Sequence, residues 1–60
     1  MWNLLVVEDE TIVRLGLRYM LNWDELAIAW KAEAANGHEA LKVLAREEIH
    51  IVMTDIRMPG

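Results

Sequence analysis

Leu4-Leu5-Val6-Val7-Glu8-Asp9-Glu10 decides the fold. A short, unbroken apolar run of this kind suits a strand buried on both faces of a parallel sheet. Three acids then end it. The pattern returns near the other end of the chain, where Ile49 to Thr54, rich in branched residues, leads to Asp55. If the two strands lie side by side, Glu8, Asp9 and Asp55 converge at one edge of the sheet. Carboxylates held that close repel one another unless something positive neutralises them. A hard divalent cation with oxygen ligands is the natural counter-charge.

The segments between these runs settle the connections. Thr11 can cap a helix or sit in its first turn, with acids beside it that suit the positive end of the helix dipole. Ile12, Leu15, Gly16, Tyr19, Met20 and Trp23 then share one broad apolar arc, with Arg14 and Arg18 opposite. Gly16 costs up to ~1 kcal/mol relative to alanine inside a helix, which points to close packing there. The helix is expected to end near Asn22, with Asp24 and Glu25 in the connection. Ile28 to Ala34 reads as a second strand, although alanine is a poor strand former. Asn36-Gly37 turns the chain into a second helix, in which Ala40, Leu41 and Leu44 share one face and Glu39, Lys42 and Arg46 another. Met58-Pro59-Gly60 breaks regular structure.

The order β-α-β-α-β argues for an α/β fold with a parallel sheet and crossover helices. Right-handed crossovers give strand order 2-1-3, with one helix on each face. The reversal of direction between strands one and three opens a crevice at their carboxyl ends, where such sheets bind ligands. Glu8, Asp9 and Asp55 all fall there.

Sixty residues allow one domain at most. A chain of this length buries only about 60% of the surface it exposes when unfolded, so its stability is marginal. There is no cysteine, hence neither disulfide nor thiolate metal site. The 55% apolar and 27% charged content belongs to a folding segment. A net charge of −4 provides no electrostatic footprint for nucleic acid. No apolar run approaches the ~18 residues of a membrane helix, and the N-terminus has no basic leader. A cytoplasmic location is the expectation. Neither Gly-x-Gly-x-x-Gly nor a P-loop follows the first strand, which excludes the nucleotide sites this fold commonly carries.

Leu5-Val6-Val7-Glu8-Asp9-Glu10, Ala35-Asn36-Gly37-His38-Glu39-Ala40-Leu41 and Thr54-Asp55-Ile56-Arg57-Met58-Pro59-Gly60 together resemble the receiver domain of two-component response regulators. The resemblance spans residues 1–60, in order and with family-like spacing, and the third motif is the most specific. Asn22-Trp23-Asp24-Glu25-Leu26 resembles receivers joined to AraC-type DNA-binding domains. The resemblance implies the N-terminal part of a flavodoxin-like receiver that lacks strands four and five, three helices and the switch residues they carry. It implies that Asp55 accepts a phosphoryl group from a histidine kinase. It assigns Mg²⁺ to Glu8, Asp9, Asp55 and the backbone carbonyl of Arg57. DNA contact would belong to a C-terminal output domain that controls transcription. Such a domain catalyses its own phosphoryl transfer and is not classed as an enzyme. Glu8 stands where aspartate is more usual, which adds one methylene of reach; a water-mediated role tolerates it.

Other readings stand beside these. Strand-end carboxylates also solvate or cap helices, and Glu10 suits the helix N-terminus better than a metal. His38, His50 and the Arg57 side chain read as surface groups, and Trp23 and Trp30 as packing residues. The third strand also offers an apolar edge through which the chain could self-associate without any switching activity.

Overall fold

A computed structural model of the chain describes residues 1–54. Strand β1 (Trp2–Val7), helix α1 (Thr11–Met20), strand β2 (Ile28–Ala34), helix α2 (Gly37–Arg46) and strand β3 (Ile51–Thr54) follow in that order. The sheet is parallel with order β2-β1-β3, as the sequence predicts. Asp55, Arg57 and the Met58-Pro59-Gly60 break lie outside the described residues.

Strand β1 is paired on both edges, and Leu4, Leu5, Val6 and Val7 are all buried. Leu5 and Val7 face α2 and form the core with Ala34, Ala40 and Val43; Ala32 and Ile49 pack against it. Leu4 and Val6 point to the other face, over which α1 lies. Val13 and Leu17 line a cleft there with Val6 and Met53.

The helices turn other faces to the sheet than their apolar arcs suggest. On α1, Ile12, Leu15, Tyr19 and Met20 are exposed, whereas Arg14 and Arg18 reach Glu33 on β2. On α2, the small residues Ala40 and Val43 are buried and let the helix approach closely. Leu41 and Leu44 are exposed. The close packing expected at Gly16 is not present: a methyl group there would meet nothing within 4 Å among the described residues.

Helix α1 ends at Met20, two residues before the expected Asn22. A single turn then closes on a Schellman pattern. Ile28 N donates to Trp23 O at 2.9 Å and Ala27 N donates to Asp24 O at 3.0 Å. Ala27 occupies the left-handed position of that motif, with φ 59°. Strand β3 begins at Ile51, not at Ile49. The backbone N–H of Asn3 is taken by the His50 imidazole Nδ1 at 2.8 Å, and Asn3 O accepts from His50 N at 2.9 Å. A side chain thus stands in for the first rung of the ladder, and the ring meets Trp2 edge to face. His50 is exposed, as expected, and also holds the start of this ladder.

The pairing of β1 with β2 contains a bulge. Leu4 lies opposite Trp30 but Leu5 opposite Ala32, so Lys31 is the extra residue. Three positions apart, Trp30 and Glu33 would normally face opposite sides of a strand. The bulge brings both to the α1 side, where Trp30 Nε1 donates to Glu33 Oε2 at 3.0 Å.

Two substitutions test this backbone. Ala27→Gly removes the steric cost of a left-handed alanine and is expected to stabilise the fold by ~1 kcal/mol. Gly16→Ala is expected to stabilise it by up to ~1 kcal/mol, because the added methyl meets no neighbour. Urea denaturation checks both; a lower midpoint for either variant contradicts the geometry described.

Candidate functional site

The acids sit where β1 stops. Glu8 N donates to Ala34 O at 2.9 Å, one step beyond the last rung of the β1–β2 ladder. Glu8 continues the alternation of Leu4 and Val6. Its side chain enters the α1-side cleft of about 190 Å³ and is only 5% exposed. Asp9 and Glu10 are exposed. Ligand oxygens of Glu8, Asp9 and Glu10 all lie within 4.8 Å of one another.

The turn that carries them is held from several sides. Glu10 N donates to Glu8 Oε2 at 3.0 Å, which satisfies part of the buried carboxylate. Glu10 occupies the N-cap position of α1 without a capping side-chain bond, and Thr11 is the first helical residue. The Arg14 guanidinium donates through Nη1 to the Glu8 backbone carbonyl. It also donates through Nε to Glu33 Oε1 at 3.0 Å and through Nη2 to Thr11 Oγ1 at 3.4 Å. Arg18 Nη1 reaches Glu33 Oε2 at 3.4 Å and lies over the Trp30 ring.

The structure thus brings Glu8 and Asp9 together as the sequence predicts, while Asp55 and Arg57, the other two expected ligands, lie outside the described residues. It adds Glu10, which the sequence reading gave to the helix terminus. It also adds Arg14, which that reading set opposite the apolar arc of α1, and Glu33, to which it gave no role. The signal for this pair was present in the sequence: Arg14 and Arg18 at i, i+4 share one side of a helix, with an acid in the following strand to meet them. His38 is exposed, as expected.

Chemically, the three-residue turn offers carboxylate oxygen and no nitrogen or sulfur ligand. Such a set suits a hard cation that keeps some of its water. A wider cleft, about 540 Å³, lies elsewhere, between the end of α1 and the start of β2. Its wall is Trp23 packed edge to face on Trp30 under Arg18, which bears out the two tryptophans as packing residues. No helix among the described residues is long and apolar enough to cross a membrane.

Comparison with known proteins gives a consistent result. The family model described as the response regulator receiver domain matches residues 4–60. The chain is 37% identical over 60 residues to the uncharacterized transcriptional regulatory protein YesN of Bacillus subtilis, covering 100% of this chain and 16% of that protein. It is 37% identical over 59 residues to an uncharacterized response regulatory protein of Staphylococcus epidermidis, covering 98% of this chain and 24% of the relative. Over 59 residues it is 34% identical to the transcriptional regulatory protein HptR of Staphylococcus aureus, covering 98% of this chain and 23% of the relative. The chain therefore spans a quarter or less of the length of these relatives. No solved structure matches it.

Mutual repulsion in the acidic turn has a measurable cost. Asp9→Asn removes one of three like charges and is expected to raise stability by roughly 0.5 kcal/mol in the presence of a chelator. Urea denaturation at low ionic strength measures it. A decrease instead would mean that Asp9 makes a stabilising contact in the metal-free state.

Proposed function

The chain belongs to the response regulator receiver family, and from that premise we propose that Asp55 accepts a phosphoryl group from a histidine kinase, with Mg²⁺ held at Glu8, Asp9 and Asp55. The observation that carries this reading is the acidic turn at the carboxyl end of β1. Thr54, the last residue of β3, pairs with Val7, the last residue of β1. Glu8 and Asp55 follow them in the sequence.

The donor set fits the ion. Mg²⁺ needs one or two direct carboxylates and retains several waters, and the turn supplies carboxylate oxygen alone. Asp9 is exposed and suits direct contact; Glu8 is buried, tethered to Glu10 N, and suits contact through water. The backbone carbonyl of Arg57 would complete the protein ligands. Bound Mg²⁺ supplies positive charge where phosphoryl oxygens gather negative charge.

In the transfer, a carboxylate oxygen of Asp55 attacks the phosphorus of the kinase phosphohistidine. The P–N bond breaks, and its electron pair remains on the imidazole nitrogen, which then takes a proton. An acyl phosphate forms on Asp55, a recognised mode of covalent catalysis by a carboxylate. Glu8 and Asp9 would hold the counter-ion during the transfer. The domain is modified by its own reaction and is not an enzyme with a separate turned-over substrate. It acts in the cytoplasm, and its partners are a histidine kinase and, through an output domain elsewhere in the protein, DNA; the transcriptional names of YesN and HptR support that output.

The decisive experiment is labelling of the full-length protein with a small phosphodonor in Mg²⁺. Asp55→Asn is expected to abolish the label, and a chelator is expected to suppress it in the wild type. Label that persists in Asp55→Asn excludes Asp55 as the acceptor.

A further inference from the structure

Arg14 is bound at both ends of the acidic turn. Its backbone N–H donates to Glu10 O at 3.1 Å, and its guanidinium Nη1 donates to Glu8 O. The Glu8 carbonyl belongs to the same planar peptide unit as the Asp9 N–H. Fixing that carbonyl therefore fixes the direction in which the chain enters Asp9, the exposed acid of the cluster. The other guanidinium nitrogens are committed elsewhere, Nε to Glu33 on β2 and Nη2 to Thr11 at the start of α1. The Arg14 side chain is only 17% exposed. Three elements thus meet on one rigid fork: the turn after β1, the first turn of α1, and β2.

We propose that Arg14 is a positioning residue for the cation site, holding the Glu8–Asp9 peptide in the orientation that presents the carboxylates to Mg²⁺. This rests on the reading of the acidic turn as a Mg²⁺ site. Arg14 touches neither the ion nor the phosphoryl group; it acts through the backbone of Glu8. The fork, not the charge, is the essential property. Lysine keeps the charge but has one nitrogen in place of three, and it cannot reach Glu8 O, Glu33 and Thr11 together. A cation beside three acids would by itself compete with Mg²⁺, so a purely electrostatic role predicts that loss of Arg14 strengthens metal binding. Positioning predicts the opposite sign.

The test is titration of the full-length protein with Mg²⁺ alone, followed by calorimetry and by the amide resonances of residues 8–10. Arg14→Lys is expected to weaken Mg²⁺ binding about tenfold, the low end of the effect of removing groups that orient metal ligands. Labelling by a small phosphodonor is expected to recover when Mg²⁺ is raised in proportion. Arg18→Gln provides the control for structure: it removes the Arg18–Glu33 tie between α1 and β2 but leaves every bond of the Arg14 fork in place. It is expected to lower the urea midpoint while keeping Mg²⁺ affinity within about twofold. The proposal is overturned if Arg14→Lys binds Mg²⁺ as tightly as the wild type or more tightly, or if Arg18→Gln weakens binding as much. Should Arg14→Lys not fold, Thr11→Val removes one of the three guanidinium partners and carries the same test; unchanged affinity then counts against positioning. A wild type that shows no saturable Mg²⁺ binding would overturn the metal site itself and this inference with it, an outcome separate from a failure confined to the variants.

Discussion

Strand β1 is the constraint on which the structure depends. It is paired along both edges and covered on both faces, so Leu4, Leu5, Val6 and Val7 are all less than 4% exposed. Full burial of each such side chain stabilises by about 1.5–3 kcal/mol, and no other element here approaches that density. A strand with four consecutive positions in apolar surroundings has no room for a charge. The first acid must come where the ladder ends, and there Glu8 appears. The same argument places the chemistry: the charges gather at the carboxyl end of the central strand because they are excluded everywhere along it.

Helix α1 is attached by different means. It buries no residue fully, and its broad apolar arc is turned away from the sheet. Its specific ties are polar. Glu33 accepts from Arg14, Arg18 and Trp30, and these bonds exist because the bulge at Lys31 turns Trp30 and Glu33 to the same face. Arg18 and Glu33 are 52% and 35% exposed at the side chain, so solvent screening limits this pair to the order of 1 kcal/mol or less. Arg14 is better shielded, and its bond to the Glu8 carbonyl links the attachment of the helix to the shape of the acidic turn. The two helices thus differ in kind. Helix α2 rests on the core through Ala40 and Val43, and Asn36 Oδ1 caps its start by accepting from Glu39 N at 2.9 Å.

The sequence disclosed most of the architecture because β1 is so strongly patterned. Element order, strand order and the limits of β2 all followed from short apolar runs and one Asn-Gly signal. What stayed hidden has specific causes. The bulge could not be read, since Lys31 between Trp30 and Ala32 looks like ordinary alternation. The start of β3 was misjudged because Ile49 is apolar, yet it packs on the α2-side core just before the ladder forms. Helix faces were misjudged because an apolar arc records every surface a helix can bury, not the one it presents to a given sheet. At the site, Glu8 and Asp9 were legible as acids that end a buried strand. The bond of Arg14 to the Glu8 carbonyl was not, because a backbone acceptor leaves no mark in the sequence.

These observations fit one electrostatic account. Three carboxylates with ligand oxygens within 4.8 Å work against folding, since each like-charge contact is unfavourable and the desolvation of Glu8 adds to the cost. Glu10 N offsets part of the cost at Glu8, and the guanidinium of Arg14 sits close by but is directed at the Glu8 carbonyl and at Glu33, not at a carboxylate oxygen of the cluster. That choice matters. A guanidinium paired with the carboxylates would neutralise them permanently and leave nothing for a cation to bind. Directed at the backbone, it fixes the turn while the charges stay available. The turn is therefore held through its backbone without being neutralised, which suits the divalent-ion site proposed for it.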